Sequence, residues 1–411
     1  MLNVNATVNN SNTTDNTKGQ LIVMDPAMLS DNWHAKGNNR TEMMEALKKL
    51  TSITKIVPCS TDQIQIMTVR SIDSEGISGF LHSKGGSKNV LFKQEVLKAQ
   101  GLTDTVLDET SKNYLLFKIG GGLFFSSKSV LRTLCQRAGT CMGDFAAREE
   151  MRVRFHRDAG YVAYMEAVPA PCQVLFRQVG DTKKILSVFT DRYKLIPQHT
   201  LVARLITDFE QELGRADIKY YDISNYTTEI LMEFPERADD FTAVYNLKET
   251  VIPGIRILLS DSGDSSFIIN GTMRIGKSVT YVPGAEYSRA HTKNADLSSI
   301  SEVTSERVFK EYTKFPERLC ELLQIDIKTP SLLIPQVIAS CGFKKEFGAK
   351  FEKNIIQDLQ DGINPSISYT AYDIATMILD YAADNEEKRS MEAISRLRNC
   401  SAKAVFYKYE A

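Results

Sequence analysis

Net charge is almost absent from this sequence: 50 Lys and Arg stand against 51 Asp and Glu, leaving -1 over 411 residues. So balanced a chain has no global signature of a nucleic-acid or membrane binder, and any such activity must sit on a local patch. Metal-site spacing is absent too. The seven cysteines (Cys59, Cys135, Cys141, Cys172, Cys320, Cys341 and Cys400) are odd in number, scattered, and never form C-x-x-C. This argues against a zinc site or a disulfide framework, and for thiols buried as small hydrophobes in a reducing compartment. The five histidines (His34, His82, His156, His199 and His291) never pair with a second His or a Cys at ligand spacing. There is no H-E-x-x-H and no G-x-S-x-G nucleophile elbow. No metal and no cofactor is expected. The start, "MLNVNATVNNSN", lacks a basic segment and an apolar run, so no secretory signal is expected. No apolar stretch approaches membrane-spanning length, so no membrane partner is expected.

What is present suits a large core. With 43% hydrophobic and 25% charged residues, the chain can form one elaborate domain or two to three smaller ones. Residues 1–20 are Asn/Thr-rich and too polar to offset their ordering entropy, which predicts a disordered tail. Residues 21–120 read as a strand-rich region, with a helix over 40–50 and strands in "QIQIMTV", "ISGFLH" and "YLLFKI". "KGGSK" reads as a turn between strands, and Gly120-Gly121-Gly122 as a strand-to-helix turn. Residues 121–300 form a central α+β core. Its helices are expected in "LFFSSKSVLRTLCQRAG", at about 144–157, and in "PQHTLVARLITDFEQELG". Its strands are expected in "PCQVLFRQV", in "KKILSVFTD" and through a block from about 218 to 282. Residues 301–411 turn helical, with Thr370 and Asp373 at capping-box spacing. Strands followed by segregated helices predict an α+β fold: a mixed or antiparallel sheet core with flanking helices and a helical C-terminal region.

One stretch spells a nucleotide motif. Gly271, Gly276, Lys277 and Ser278 in "GTMRIGKS" match G-x-x-x-x-G-K-S, whose Gly-rich loop cradles phosphates at the start of a helix. The context opposes it. Val279-Thr280-Tyr281-Val282 suits a strand, and Pro283-Gly284 would break a helix in its second turn. Asp326 and Asp380, the later acids a Mg²⁺ would need, sit in helix-like contexts. The competing reading is a β-hairpin turning at Asn270-Gly271. "SDSGDS" (260–265) lacks the spacing of a calcium loop and reads as a polar hairpin turn.

Three basic groupings remain. A helix carries Arg152, Arg154 and Arg157. "SVFTDRYKLIP" sets Arg192, Tyr193 and Lys194 where a strand ends and a helix begins. "YSRAHTKN" sets Arg289, His291 and Lys293 just after a long strand. Arg, Lys and Tyr at strand ends can bind phosphates and stack on bases, and ordinary ion pairing is the competing reading.

These segments, in this order, resemble a phage- and plasmid-related family known as domain of unknown function 932. The resemblance begins at "LFFSSKSVLRTLCQRAGT" and continues through "VLFRQVGDTKKILSVFTDRYKLIPQHTLVARLI". There the family has a strand, a polar turn, a strand ending Ser-Asp-Arg-Tyr, and a helix; here Phe189-Thr190 precede Asp191-Arg192-Tyr193. "PGIRILLSDSGDSSFIINGTMRI", "SRAHTKN" and "SYTAYDIATMILDYA" extend it over roughly residues 120–385, with Ile269 where the family commonly has Cys. The resemblance implies carriage by phages, prophages or plasmids, and no established reaction. The expectation is then a non-enzymatic, nucleic-acid-associated protein in the cytoplasm of a bacterial host. It would bind single- or double-stranded DNA through the three basic groupings. The alternative is a virion or assembly protein working through phage or self contacts, and a second is a P-loop-like NTPase.

Overall fold

The computed structural model describes residues 25–102, 115–127, 129–137, 150–243, 245–262, 266–289, 306–312, 314–387 and 389–410. The polar tail over 1–20, His291 and Lys293 lie outside these residues, as do Gly263-Asp264-Ser265 and the first part of the helix expected at 144–157.

Two sheets organise the molecule, and their strands are numbered along the chain. A six-stranded antiparallel sheet runs in the order β1 (His34–Gly37), β10 (Asp217–Ser224), β11 (Thr228–Glu233), β12 (Val251–Leu259), β13 (Phe267–Ile275), β14 (Ser278–Arg289). An eight-stranded sheet runs β2 (Thr54–Ser60), β8 (Pro171–Val179), β9 (Thr182–Thr190), β7 (Gly122–Ser126), β6 (Leu115–Ile119), β3 (Ile64–Asp73), β4 (Gly76–Ser83), β5 (Gly86–Lys93). Only its β7–β9 pair is parallel. A two-residue pair, β15 (Asp326–Ile327) and β16 (Tyr369–Thr370), ties down the C-terminal region. The fold is α+β, as the sequence predicts.

Helix α1 (Arg40–Ile53) begins where Asn39 Oδ1 accepts the amides of Thr41 and Glu42 at 2.9 and 3.2 Å. It buries Met43, Leu47 and Leu50 against one face of the six-stranded sheet and against α4 (Gln198–Leu213). The helices of the eight-stranded sheet are α2 (Val130–Arg137) and α3 (Met151–Ala167), which share a core with Ile64, Ile66, Phe117 and Phe176. The C-terminal helices α5 (Lys314–Leu323), α6 (Pro330–Cys341), α7 (Ala349–Asp361), α8 (Ala371–Asp384) and α9 (Met391–Val405) join the six-stranded sheet's core. The capping box at Thr370 and Asp373 is present, with the Thr370 amide on Asp373 at 2.8 Å.

Several turns lie elsewhere than the sequence predicts. Gly120-Gly121 closes the β6–β7 hairpin, so "LFFS" is a strand and α2 starts only at Val130. The turn expected in "KGGSK" is present at Lys84-Gly85, but it joins β4 to β5, an edge strand absent from the sequence reading. Asn270-Gly271 does not turn: both residues lie within β13, and the hairpin closes at Gly276-Lys277. Gly271 is needed there for another reason, since a Cβ would stand 2.7 Å from the Ala285 Cβ and 3.0 Å from the Tyr312 ring. Gly276 has φ +54, the left-handed conformation such a tight turn requires.

Candidate nucleic-acid interface

The segment after β9 is held by a buried polar seam between the two sheets. Asp191 and Arg192 turn the chain, and the Tyr193 amide returns to the Thr190 carbonyl at 3.1 Å. Tyr193 is buried and donates its hydroxyl to the Asp261 carbonyl at 3.0 Å. Burial, reinforced by nearby Asp261, pushes its phenol well above the usual range, so it stays a hydrogen-bond donor. Its ring lies flat against the half-buried Phe189, with centroids 3.9 Å apart and planes 5° from parallel. Gln198, the first residue of α4, donates to Asp261 Oδ2 at 2.8 Å and accepts from the Thr228 hydroxyl at 2.7 Å. Ser187 donates to the Ser262 carbonyl.

Further into the seam, strand positions that alternate toward the junction carry charges. Arg177 of β8, 1% exposed, donates to Asn225 Oδ1, and Asn225 in turn donates to the carbonyls of Met28 and Ser30. Lys184 of β9, fully buried, donates to the Leu29 carbonyl at 2.7 Å and to Asp31, which also accepts from the Tyr226 hydroxyl. Burial lowers the Arg177 pKa to about 10, while Asp261 and Tyr226 act the other way. The guanidinium is therefore charged at neutral pH, and its partners must stay in place because an unpaired buried charge is costly. In this way β8, β9, the β10–β11 turn and the start of the β12–β13 connection are fastened together behind Tyr193.

The expected site residues separate clearly. Arg192 and Lys194 are exposed on either side of the buried Tyr193. Arg289 pairs through its backbone with Phe267, which places it at the end of the six-stranded sheet where β12 leaves toward Asp261. Tyr193, just past the end of β9 in the eight-stranded sheet, is tied to that end of the six-stranded sheet by its hydrogen bond to the Asp261 carbonyl, while His291 and Lys293 of the Arg289 grouping lie outside the described residues. The helical grouping does not act as a unit. Arg152 is exposed, but Arg154 is buried and donates to the Val69 carbonyl at 3.2 Å. Arg157, also buried, donates from Nε to Asp158 Oδ1 at 2.7 Å. Arg154 holds α3 on the eight-stranded sheet and Arg157 is spent on Asp158 of the same helix, so these two buried cations do not present their charges to a phosphate.

Asp158 continues into a buried line. Its Oδ2 accepts from the Thr68 hydroxyl at 2.6 Å, Thr68 meets His82 Nε2 at 2.8 Å, and His82 Nδ1 meets the exposed Ser87 hydroxyl at 2.6 Å. Thr68 gives its proton to Asp158, so His82 must donate from Nε2 and accept from Ser87 at Nδ1. Burial lowers the His82 pKa to about 4.

The nucleotide string is an antiparallel hairpin with no helix after it. Lys277 pairs with Asp384 at 2.7 Å and Ser278 donates to Asp380 at 2.5 Å, both on α8. Gly271, Gly276, Lys277 and Ser278 therefore form no phosphate-cradling loop. Among the described residues no group of His, Cys, Asp and Glu is arranged to hold a metal ion, and no helix is long and apolar enough to cross a membrane.

Sequence reasoning missed Phe189 as the ring under Tyr193, and missed Arg177, Lys184, Asn225 and Asp31. A signal was present for one of them: Arg177 is the single charged residue of its strand, PCQVLFRQV. Compared with family models, curated proteins and solved structures, the chain matches none.

Proposed function

We propose that this protein is a non-enzymatic, nucleic-acid-associated factor of a phage or plasmid, working in the cytoplasm of a bacterial host. Its contact surface is the Phe189–Lys194 segment. The observation that carries this reading is the parallel stack of half-buried Phe189 on buried Tyr193, with exposed Arg192 and Lys194 beside it. A part-exposed ring held flat, next to cations, is the arrangement that stacks bases and neutralises phosphates along a single strand. The buried seam gives the segment a fixed conformation, so little ordering entropy is lost on binding. Single-stranded DNA is the preferred ligand in this account. Fluorescence anisotropy with labelled single- and double-stranded DNA at two salt concentrations tests it. Salt-sensitive binding favouring the single strand is expected, and absence of binding at low salt contradicts it.

A second reading, an assembly or virion protein acting through phage or self contacts, draws on a different surface. Leu332 and Ile367 are 69% and 56% exposed and line one depression with Ile327, Pro330, Ile363 and Tyr369. Exposed apolar residues grouped in this way suit protein contact. Mass spectrometry of purified particles distinguishes the two, since a stoichiometric virion component is not a scarce cytoplasmic factor.

A further inference from the structure

We propose that Cys59 and Cys172 form a redox-modification site that a peroxide closes into a reversible cross-strand disulfide. The two residues are directly opposite each other in the β2–β8 register, and their sulfurs are 3.3 Å apart. Opposed residues of antiparallel strands have Cα atoms about 4.5–5.5 Å apart, within the range a disulfide spans. Closing to a bond of about 2.05 Å therefore needs side-chain rotation rather than backbone movement. The pair is also asymmetric in a useful way. Cys59 is part-exposed on β2, the edge strand of the eight-stranded sheet, whereas Cys172 is 2% exposed. An oxidant in solution thus reaches Cys59 first. The hydrogen bond from Cys172 lowers the Cys59 pKa, against burial and Asp62, and so favours its thiolate. Two other thiols are contrasting cases: burial pushes Cys341 up to about 12 and raises Cys400 as well, leaving both poor nucleophiles.

The chemistry balances with hydrogen peroxide as the oxidant. The Cys59 thiolate attacks one peroxide oxygen, the O–O bond breaks, Cys59 becomes a sulfenic acid, and the departing hydroxide takes the proton that the Cys59 thiol had released and leaves as water. The Cys172 sulfur then attacks the Cys59 sulfur, the S–O bond breaks, and hydroxide leaves with the Cys172 proton as a second water. Two thiols lose two electrons and one peroxide gains them. A small-molecule dithiol reverses the bond by exchange. The bond would fasten β2 to β8, where Cys172 also faces Thr190, the last residue of β9.

Peptide mapping of the reduced full-length protein after peroxide treatment tests the site, with free thiols alkylated before digestion. The expected result is a linked peptide containing Cys59 and Cys172, two hydrogens lighter than its parts and released by dithiothreitol. In Cys172→Ser the linked peptide disappears and Cys59 is trapped as sulfenic acid by dimedone. The proposal is overturned if Cys172 remains alkylatable after Cys59 has been oxidised, or if both remain alkylatable in excess peroxide.

Discussion

Single residues in this molecule do different work from what their chemical type suggests, and burial decides which. His82 has both ring nitrogens engaged and a pKa lowered from 6.5 to about 4. The unfolded chain therefore binds a proton that the folded chain refuses over that interval. Stability is full above about 6.5 and falls as pH drops from 6.5 toward 4, because protonation favours the unfolded state. Replacing His82 with Gln should shrink the acid-side loss, read as a flatter plot of urea midpoint against pH. Arg177 is the reverse case, a cation that must remain charged and paired. Arg177→Met strands Asn225 and breaks the seam, which should cost about 3 kcal/mol by urea unfolding. Tyr193 was expected to meet nucleic acid, yet its hydroxyl is spent on Asp261. Tyr193→Phe should lower stability by about 1 kcal/mol while leaving DNA affinity within twofold. Phe189→Ala should instead weaken single-strand binding by about 1–3 kcal/mol.

At the scale of elements, the hairpin from β13 to β14 separates a strand from a nucleotide loop. Gly276→Ala places a Cβ at φ +54 and 2.6 Å from Glu249 Oε2, and should destabilise by about 1–2 kcal/mol. Lys277→Ala removes one exposed ion pair and should change stability by less than about 0.5 kcal/mol. Neither the wild type nor Lys277→Ala should bind ATP, and loss of measurable ATP binding in the variant would restore the phosphate-loop reading. Helices were the most legible elements, since α1, α4 and α8 carry apolar residues at helical spacing between recognisable caps. Turns were less legible. Gly276-Lys277 and Asn270-Gly271 both look like turns locally, and what decides between them is Ala285, Tyr312 and Val308 crowding Gly271 from far along the chain. The short strand β7 was hidden for a related reason: Phe124 and Phe125 fit a strand as readily as the start of the helix that follows.

For the whole molecule, the α+β class was readable but its division into two sheets was not. β1 pairs with β10 and β2 with β8, contacts more than a hundred residues apart that no local pattern specifies. The expected boundary at residue 120 consequently cuts through one sheet, separating β6 from its hairpin partner β7. The candidate site followed the same rule. The tie of Tyr193 to Asp261 joins residues 68 apart in the chain, whereas the burial of Arg154 and Arg157 depends on how α3 lies on β3. Balanced overall charge means that the Arg192–Lys194 patch has to supply the salt dependence of binding by itself. The most direct measurement is therefore the salt dependence of single-stranded DNA affinity for the wild type and for the double variant Arg192→Ala/Lys194→Ala. Loss of two phosphate contacts should weaken binding and reduce the slope of log affinity against log salt by about 1.4. An unchanged slope and affinity in a folded double variant would contradict the assignment.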